Sequence, residues 1–436
     1  MSRSMSRKKR QMHLAVFWLG TGNHVAGWRM RGAFDSNCSL PIAQAGAKIA
    51  ERGKFDLFFI ADSLVSAAND HPSMQTRLEP TTTVAALSQS TSRLGFGCTV
   101  STSFSEPFNV ARVFQSLAHL TKGRVAWNIV TSNSPDAFMN FSRDSHFEHD
   151  QRYEIAGEFV DVVRGLWRGW EDGAVVRNRE TGLFVDRDKV HALDHRGHYF
   201  KVRGPLNMET PANGEPLLIQ AGGSEAGQEL SARTADIVFS VVNGDKDEAK
   251  AAYDGLKSRM AKHGREPHEL ALLPGVMPII GRTDEEAKAQ LDLLQSWVSP
   301  TNALRLVSVR IGHDISQYPL DGPVPDLPLT QNSQSFARTL LSMARRQNLT
   351  LRDLYNIAAA ARGHWVIYGS PKTIADKLHE WFEAGIADGF MIQPAYFPGA
   401  FDDFVDLVVP ELQRRGLFRR DYAGTTLREH LRQDAG

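Results

Sequence analysis

The chain has 436 residues, 42% of them apolar and 23% charged, with 50 basic and 50 acidic side chains and a formal net charge of zero. These totals describe a globular protein with a large core, as one barrel or two or three ordinary domains, and they exclude the basic surface of a nucleic-acid binder. Two cysteines, Cys38 and Cys98, make no disulfide framework and stand in no metal-ligand spacing, and no apolar run reaches the roughly 18 residues of a membrane span, so a cytoplasmic location is expected.

The start, MSRSMSRKKRQ, reads as a disordered basic tail over residues 1–11. It is not read as a signal peptide, because the apolar stretch behind it is short and no small-residue cleavage site follows. From residue 12 to 436 the pattern is that of a single domain. Apolar runs of strand character occur at Leu14 to Leu19, Phe55 to Ala61, Leu94 to Val100 and Val125 to Val130, with helical patterns such as IAQAGAKIAERG and FNVARVFQSLAHLT between them. Four more follow at Leu217 to Ala221, Ile237 to Val241, Leu272 to Ile280 and Phe390 to Gln393. Continuous apolar runs alternating with helices require a parallel sheet buried on both faces, and eight of them predict a (β/α)8 TIM barrel. Two segments exceed the minimal unit and read as insertions, about 171–216 after helix 4 and about 299–363 after helix 7. The tail FDDFVDLVVPELQRRGLF begins a C-terminal helical extension that Pro410 kinks or restarts, and its remainder is expected to reach a neighbouring subunit.

Functional groups of such a barrel gather at the C-terminal strand ends. The segment Gly123 to Tyr153 organises the rest: an apolar run stops at Thr131, Ser132 and Asn133, and a loop too long for a mere connection leads to a helix opening near Asp150. Asp62 directly follows the second run. Thr99, Ser101, Thr102 and Ser103 close the third, and spacing does not choose among them. Asn128 lies inside the fourth, where a buried amide must find partners. His149 and Tyr153, four residues apart, share a helix face. In LLIQAGGSEAG a strand ends in Gly222 and Gly223, and Ser224 opens a helix; close backbone approach and free helix amides suit a phosphate, although a plain Ser cap fits the same letters. The loop GTGNHVAGWR offers His24 and Trp28 toward a substrate. Arg143, Arg187, Arg196 and Arg203 are possible anion contacts, each with surface solvation as the plainer role. HFEH at residues 146–149 matches no ligand motif, and no metal is expected. With no nucleophile motif present, the chemistry is expected of a bound cofactor.

The segments GRVAWNIVTS, FSRDSHFEHDQRYEIAGEFVDVVRGLW, GHYFKVRGPLN, LLIQAGGSEAGQELSARTADIVF and FVDLVVPELQRRGLF strongly resemble the nitrilotriacetate monooxygenase component A group of the bacterial-luciferase-like flavin monooxygenases. The resemblance runs from about Met12 to the last helix. It implies a TIM barrel that takes reduced FMN from a separate NAD(P)H:FMN oxidoreductase, uses O2, and oxygenates a small molecule at or beside nitrogen or sulfur, often with C–N or C–S cleavage. Carried over, the FMN-contacting positions are Asp62, Thr99, His149, Tyr153 and Ser224. Gly223 and Asn128 join them on physical grounds, as an amide for the phosphate and a polar group under the ring. Homodimer or homotetramer assembly is also implied. The alternatives are a luciferase-like flavin or F420 oxidoreductase and a non-catalytic flavin-binding protein.

Overall fold

A computed structural model describes residues 10–66, 71–132, 134, 136–328 and 334–432, with backbone alone at 309, 310 and 334–339. Most of the expected basic tail, residues 1–9, lies outside the described residues. Arg10 is packed, its guanidinium 4.0 Å above the Phe382 ring.

Eight strands form the barrel: β1 (His13–Trp18), β2 (Leu57–Ile60), β3 (Gly95–Ser101), β4 (Val125–Val130), β5 (Leu217–Gln220), β6 (Ile237–Ser240), β7 (Ala271–Ile280) and β8 (Gly389–Ile392). Each runs parallel to the next, and the register His13↔Gly389 to Val16↔Ile392 closes β8 onto β1. Helices α1 (Leu40–Arg52), α2 (Pro80–Leu87), α3 (Pro107–Thr121), α4 (His149–Trp167), α5 (Glu225–Thr234), α6 (Lys246–Met260) and α7 (Asp284–Ser296) provide the crossovers. All eight apolar runs are therefore barrel strands, displaced by no more than two residues at either end. The strands are buried on both sides, by the helices outside and by an inner layer in which Phe17, Phe59 and Phe239 have ring centroids 5.2 to 5.8 Å apart.

The N-terminal face is a stability device written into three similar phrases, FDLF, ADIV and ADGF. Asp56, Asp236 and Asp388 precede β2, β6 and β8. Their carboxylates accept from the backbone N–H of Leu14, Leu218 and Leu272 at 2.8, 2.8 and 2.9 Å. Their own N–H groups donate to the carbonyls of the same three residues. Each aspartate thus clips two adjacent strands in register. The chain's tail covers this face: Arg419 reaches Asp56 at 2.5 Å, Tyr422 donates to Phe55 O, and Leu427 packs among the inner residues. Residues Phe418, Arg419, Tyr422 and Leu427 of the tail thus pack on the chain's own barrel, while Arg420, Asp421 and Arg432 remain exposed. The helix before it carries a π turn at Phe404–Val408 immediately ahead of Pro410, which has no N–H to give to a regular ladder.

The first insertion is mostly irregular, with a two-strand ribbon His195–Arg196 and Lys201–Val202. Glu158 of α4 pins it by accepting from the N–H groups of Tyr199 and Phe200 and from His195. The second insertion carries α8 (Pro300–Ile311), α9 (Gln334–Arg346) and α10 (Leu351–Ala361), which share a core of their own around Leu304, Val307, Leu340 and Leu354. A ninth strand, Trp365–Gly369, was not foreseen. It pairs with β7 over residues 276–280, beyond the stretch 271–274 that β6 uses. Among the described residues no helix is long and apolar enough to cross a membrane.

Candidate active site

At the C-terminal end of the barrel the polar side chains sit in a continuous arc from β2 to α5. Thr99 is its inner member: its hydroxyl donates to Ile60 O at 2.8 Å and accepts from Asn128 Nδ2 at 2.9 Å. The two residues are cross-strand partners in the β3–β4 register, which is why the contact forms. Asn128 Oδ1 has no protein partner although it is buried. A buried acceptor left so costs about 1 to 3 kcal/mol. The other hydroxyls of the cluster serve the loops, Ser101 bonding Ser132 at 2.7 Å and Ser103 donating to Thr131 O. Asp62 stands past the end of β2, half-buried, accepting from Ser63 N–H. Burial holds its carboxyl above the usual range, with Arg77 opposing.

Ser132 connects this inner group to α4. Its carbonyl accepts from His146 Nε2 at 2.5 Å and from Arg152 at 3.2 Å. The next residue of the helix is Tyr153, whose ring lies 5.2 Å from that of His149. His149 is exposed and bonds Asp150 at 2.7 Å. Tyr153 also meets the turn after β5, where glycine is required. A Cβ on Gly222 would stand 2.9 Å from Gly227 Cα and 3.3 Å from the tyrosine oxygen, and one on Gly227 would stand 3.0 Å from that oxygen. Ser224 caps α5 by accepting from Gly227 N–H at 3.2 Å, and Gly223 lies beside it, its carbonyl 3.4 Å from Gln228 Nε2. The structure therefore joins Thr99 with Asn128, His149 with Tyr153, and Tyr153 with the glycine turn that bears Gly223 and Ser224, with Asp62 at the β2 end.

On the other side of the mouth, between the first loop and the second insertion, lies a cavity of about 610 Å³ lined by Val25, Trp28, His71, Trp297, Asn302 and Ala359 among others. Trp28 is 46% exposed and forms part of its wall. His24 is buried behind it. Burial lowers the imidazole to about 3, so it is neutral. Its Nδ1 accepts from Ala26 N–H at 3.1 Å, which places the proton on Nε2, an atom with no protein partner. His71, also lowered to about 3 by burial and then by Arg362, contacts Asn23 O at 3.2 Å.

Sequence reasoning missed several groups here. Gln220, Ser240 and Gln393 end β5, β6 and β8 and bring the buried, unpartnered atoms Gln220 Nε2, Ser240 Oγ and Gln393 Nε2 to the mouth. A polar letter closing an apolar run, as in LLIQ and FMIQ, was the available signal. Arg362 was missed as well; it lies over the Phe17 ring, and His364 stacks on Phe239 at 4.9 Å. The four arginines considered from sequence do not line the cavity. Arg143 packs over Phe104 and Phe147 and lines a separate cavity of about 510 Å³ with Val100 and Phe141, Arg203 is 87% exposed, and Arg187 and Arg196 belong to the first insertion. Among the described residues no group of histidine, cysteine or carboxylate side chains is arranged to hold a metal ion.

The sequence model of the luciferase-like monooxygenases matches residues 21–388. The chain is 46% identical to N-acetyl-S-(2-succino)cysteine monooxygenase of Bacillus subtilis, the match covering 98% of both chains. It is 42% identical to nitrilotriacetate monooxygenase component A of Aminobacter aminovorans, over 97% of this chain and 96% of that one. Among solved structures, a riboflavin lyase with modified FMN and riboflavin superposes with a TM-score of 0.84 at 30% identity, covering 97% of this chain and 96% of the other.

Proposed function

The chain belongs to the luciferase-like monooxygenase family, and from that premise we propose that it takes reduced FMN from a separate NAD(P)H:FMN oxidoreductase and oxygenates a small molecule at or beside sulfur or nitrogen. The observation that carries the reading is the Thr99–Asn128 pair, a buried polar group with one acceptor left over, set beside an aromatic floor and joined through Ser132, Arg152 and Tyr153 to a glycine turn at a helix N-terminus. A ring with a polar edge and a phosphate tail fits both ends of that arc. The residues present therefore suit FMN. When bound, reduced FMN supplies the two electrons that let one atom of O2 enter the substrate while the other leaves as water.

The chain's own side chains bind, orient and keep the site dry. Asn128 Oδ1, left without a protein partner, would accept from an N–H of the bound ring, and Thr99 holds the amide by its other end. The amides of Gly223 and Ser224, just ahead of α5, would meet the phosphate together with the helix's own first N–H groups, where the helix dipole favours negative charge. Tyr153 and His149, beside the glycine turn, would contact the tail, and Asp62 would border the ring on the β2 side. His24 carries a neutral Nε2–H donor and Trp28 an apolar wall on the substrate side. The first loop and the second insertion exclude water. Homodimer or homotetramer assembly belongs to the same proposal. N-acetyl-S-(2-succino)cysteine, named for the 46% relative, is the first compound to test.

The test is anaerobic titration with reduced FMN, followed by turnover with purified flavin reductase, NADH, O2 and that compound. Saturable binding that Ser224→Ala weakens, with product formed only when the reductase is present, supports the reading. Absence of binding in either redox state of FMN refutes it. Binding without oxygenation of any thioether or amine offered would favour a flavin carrier instead.

A further inference from the structure

The first insertion carries an arm with an apolar tip. Residues 175–185 form a tight hairpin: Val175 bridges Val185, Val176 N–H donates to Phe184 O at 2.9 Å, and Asn178 N–H donates to Leu183 O at 2.9 Å. Asn178 Oδ1 accepts from the N–H groups of Glu180 and Thr181, which sets the turn. Every residue from 176 to 184 is exposed, Val176, Leu183 and Phe184 among them, and Phe184 is 64% exposed. A hydrogen-bonded hairpin that holds three large apolar side chains together in water marks an interaction surface.

The cavity of about 510 Å³ is its counterpart. It shares no lining residue with the 610 Å³ cavity of the mouth, and its wall includes Val110, Val113, Phe114 and Phe141, with Glu79, Glu106 and Arg143 among its charged residues. The arm carries Arg177, Arg179 and Glu180, so two cations and an anion on one feature answer two anions and a cation on the other. The two are tied to opposite halves of one helix. The cavity takes Glu106, Val110 and Phe114 from the N-terminal end of α3. The arm is anchored to the C-terminal half through Glu209, whose carboxylate pairs with Arg177 at 2.6 Å and whose carbonyl accepts from Gln115 at 3.0 Å and His119 at 2.9 Å. From Val110 to His119 the helix rises about 14 Å. A two-fold axis perpendicular to α3 near the exposed Val113 reverses the helix and lays the arm of each copy over the cavity of the other.

We propose that the occupant of this cavity is a second copy of the chain, the Leu183–Phe184 tip of each arm seated in the cavity of its partner with Val113 near the axis. Reciprocity of this kind is what a two-fold interface requires, since one patch must serve as both surfaces, and an arm and a cavity on the same helix meet that condition. The proposal rests on the homo-oligomeric assembly named in the reading above and assigns the face that makes it.

The experiment compares the full chain with its Phe184→Asp, Phe184→Leu and Val113→Asp variants by analytical ultracentrifugation over a range of concentrations. Wild type is expected to associate. Phe184→Asp and Val113→Asp should each weaken association on the order of 100-fold, because one substitution removes two buried side chains from a two-fold interface, and Phe184→Leu should stay within about tenfold of wild type. Phe184 is exposed in the single chain, so Phe184→Asp should keep the wild-type circular dichroism. To read the contact between copies, Cys38→Ser chains carrying Leu183→Cys or Val113→Cys alone are co-produced under different tags and oxidised, and a disulfide joining the two kinds of chain is expected. Monomeric wild type overturns the proposal, including one whose arm captures the flavin reductase instead. Association that Phe184→Asp leaves unchanged overturns it too, as does an associated pair in which disulfides join only like chains. A titration of wild type with reduced FMN keeps the two readings apart: a monomer that binds FMN loses only the docked arm, and a chain that associates through the arm without binding FMN loses only the flavin reading.

Discussion

Replacing Asn128 by leucine separates a scaffold role from a ligand role. Leucine has nearly the shape of asparagine and faces the inner apolar layer. In the ligand-free protein the exchange removes a buried acceptor with no partner, which relieves about 1 to 3 kcal/mol, and it deletes the 2.9 Å bond to Thr99, which loses about 1 kcal/mol. Thr99 keeps its 2.8 Å bond to Ile60 O and is not left as an orphan donor. The net expectation is a protein as stable as wild type or more stable by up to about 2 kcal/mol. For reduced FMN the sign reverses, since a ring N–H then meets a methyl group, and affinity should fall about 10- to 100-fold. Urea unfolding without flavin and anaerobic titration with reduced FMN measure the two effects on one preparation. A variant that is destabilised by more than about 1.5 kcal/mol and still binds FMN as wild type does would refute the argument, because Asn128 would then be part of the frame.

At the opposite face, Asp56→Ala leaves Arg419 and the Leu14 N–H without their buried acceptor and should destabilise by about 3 to 5 kcal/mol in the same unfolding assay. Burial raises the Asp56 carboxyl, but Arg419 and His13 outweigh it and hold it at about 2, below the ordinary 3.8, so its contribution is complete above pH 4 and lost as pH falls toward 2. Asp56→Asn should therefore flatten the acid limb of a stability-against-pH curve in that window. His24 acts in the same direction at higher pH: held neutral in the fold down to about 3, it takes up its proton on unfolding, and stability drops as pH falls from 6.5 toward 3. His24→Gln should reduce that slope by one proton's worth, read from denaturation midpoints across the interval. Gly222→Ala places a Cβ 2.9 Å from Gly227 Cα, where only backbone movement can relieve it, and should cost about 1 to 3 kcal/mol while weakening reduced FMN at least tenfold.

The barrel was legible because a strand buried on both faces must be apolar throughout, and runs such as VAWNIV and ALLPGVMPII have no other easy home. The strand Trp365–Gly369 escaped because it is short, partly exposed and adjoins an insertion, so neither alternation nor a continuous apolar run marks it. At the site, contacts between sequence neighbours were readable: the rings of His149 and Tyr153 meet because they are one turn apart, and Ser224 caps because it opens a helix. Pairs made by register were readable only as separate letters. Nothing in the sequence says that Thr99 faces Asn128, since that follows from how β3 and β4 align. Arg362 was hidden further, because its contacts reach Asn23, 339 positions away, and Gln393, 31 away, across two closures of the chain.

The distribution of buried polar atoms says which end of the barrel the fold was built to hold and which it was built to use. At the N-terminal face the three aspartate carboxylates are paired with strand amides at 2.8 to 2.9 Å and Arg419 Nη2 reaches Asp56 at 2.5 Å, which leaves two buried atoms there without a protein partner, Arg419 Nη1 and His430 Nδ1. At the mouth, among the described residues, Asn128 Oδ1, Gln220 Nε2, Ser240 Oγ, Gln393 Nε2 and His24 Nε2 are buried without a protein partner. At about 1 to 3 kcal/mol for each atom, the five together rival the whole net stability of a typical domain, about 5 to 15 kcal/mol. Such a sum is sustainable only if solvent or a ligand supplies the missing partners, and it is an efficient way to favour a ligand that presents donors and acceptors in the matching order. Tight binding of a flat, polar-edged molecule and a frame clipped from the other end are then two aspects of one design: the aspartate clips stabilise the barrel enough that its mouth can remain incomplete.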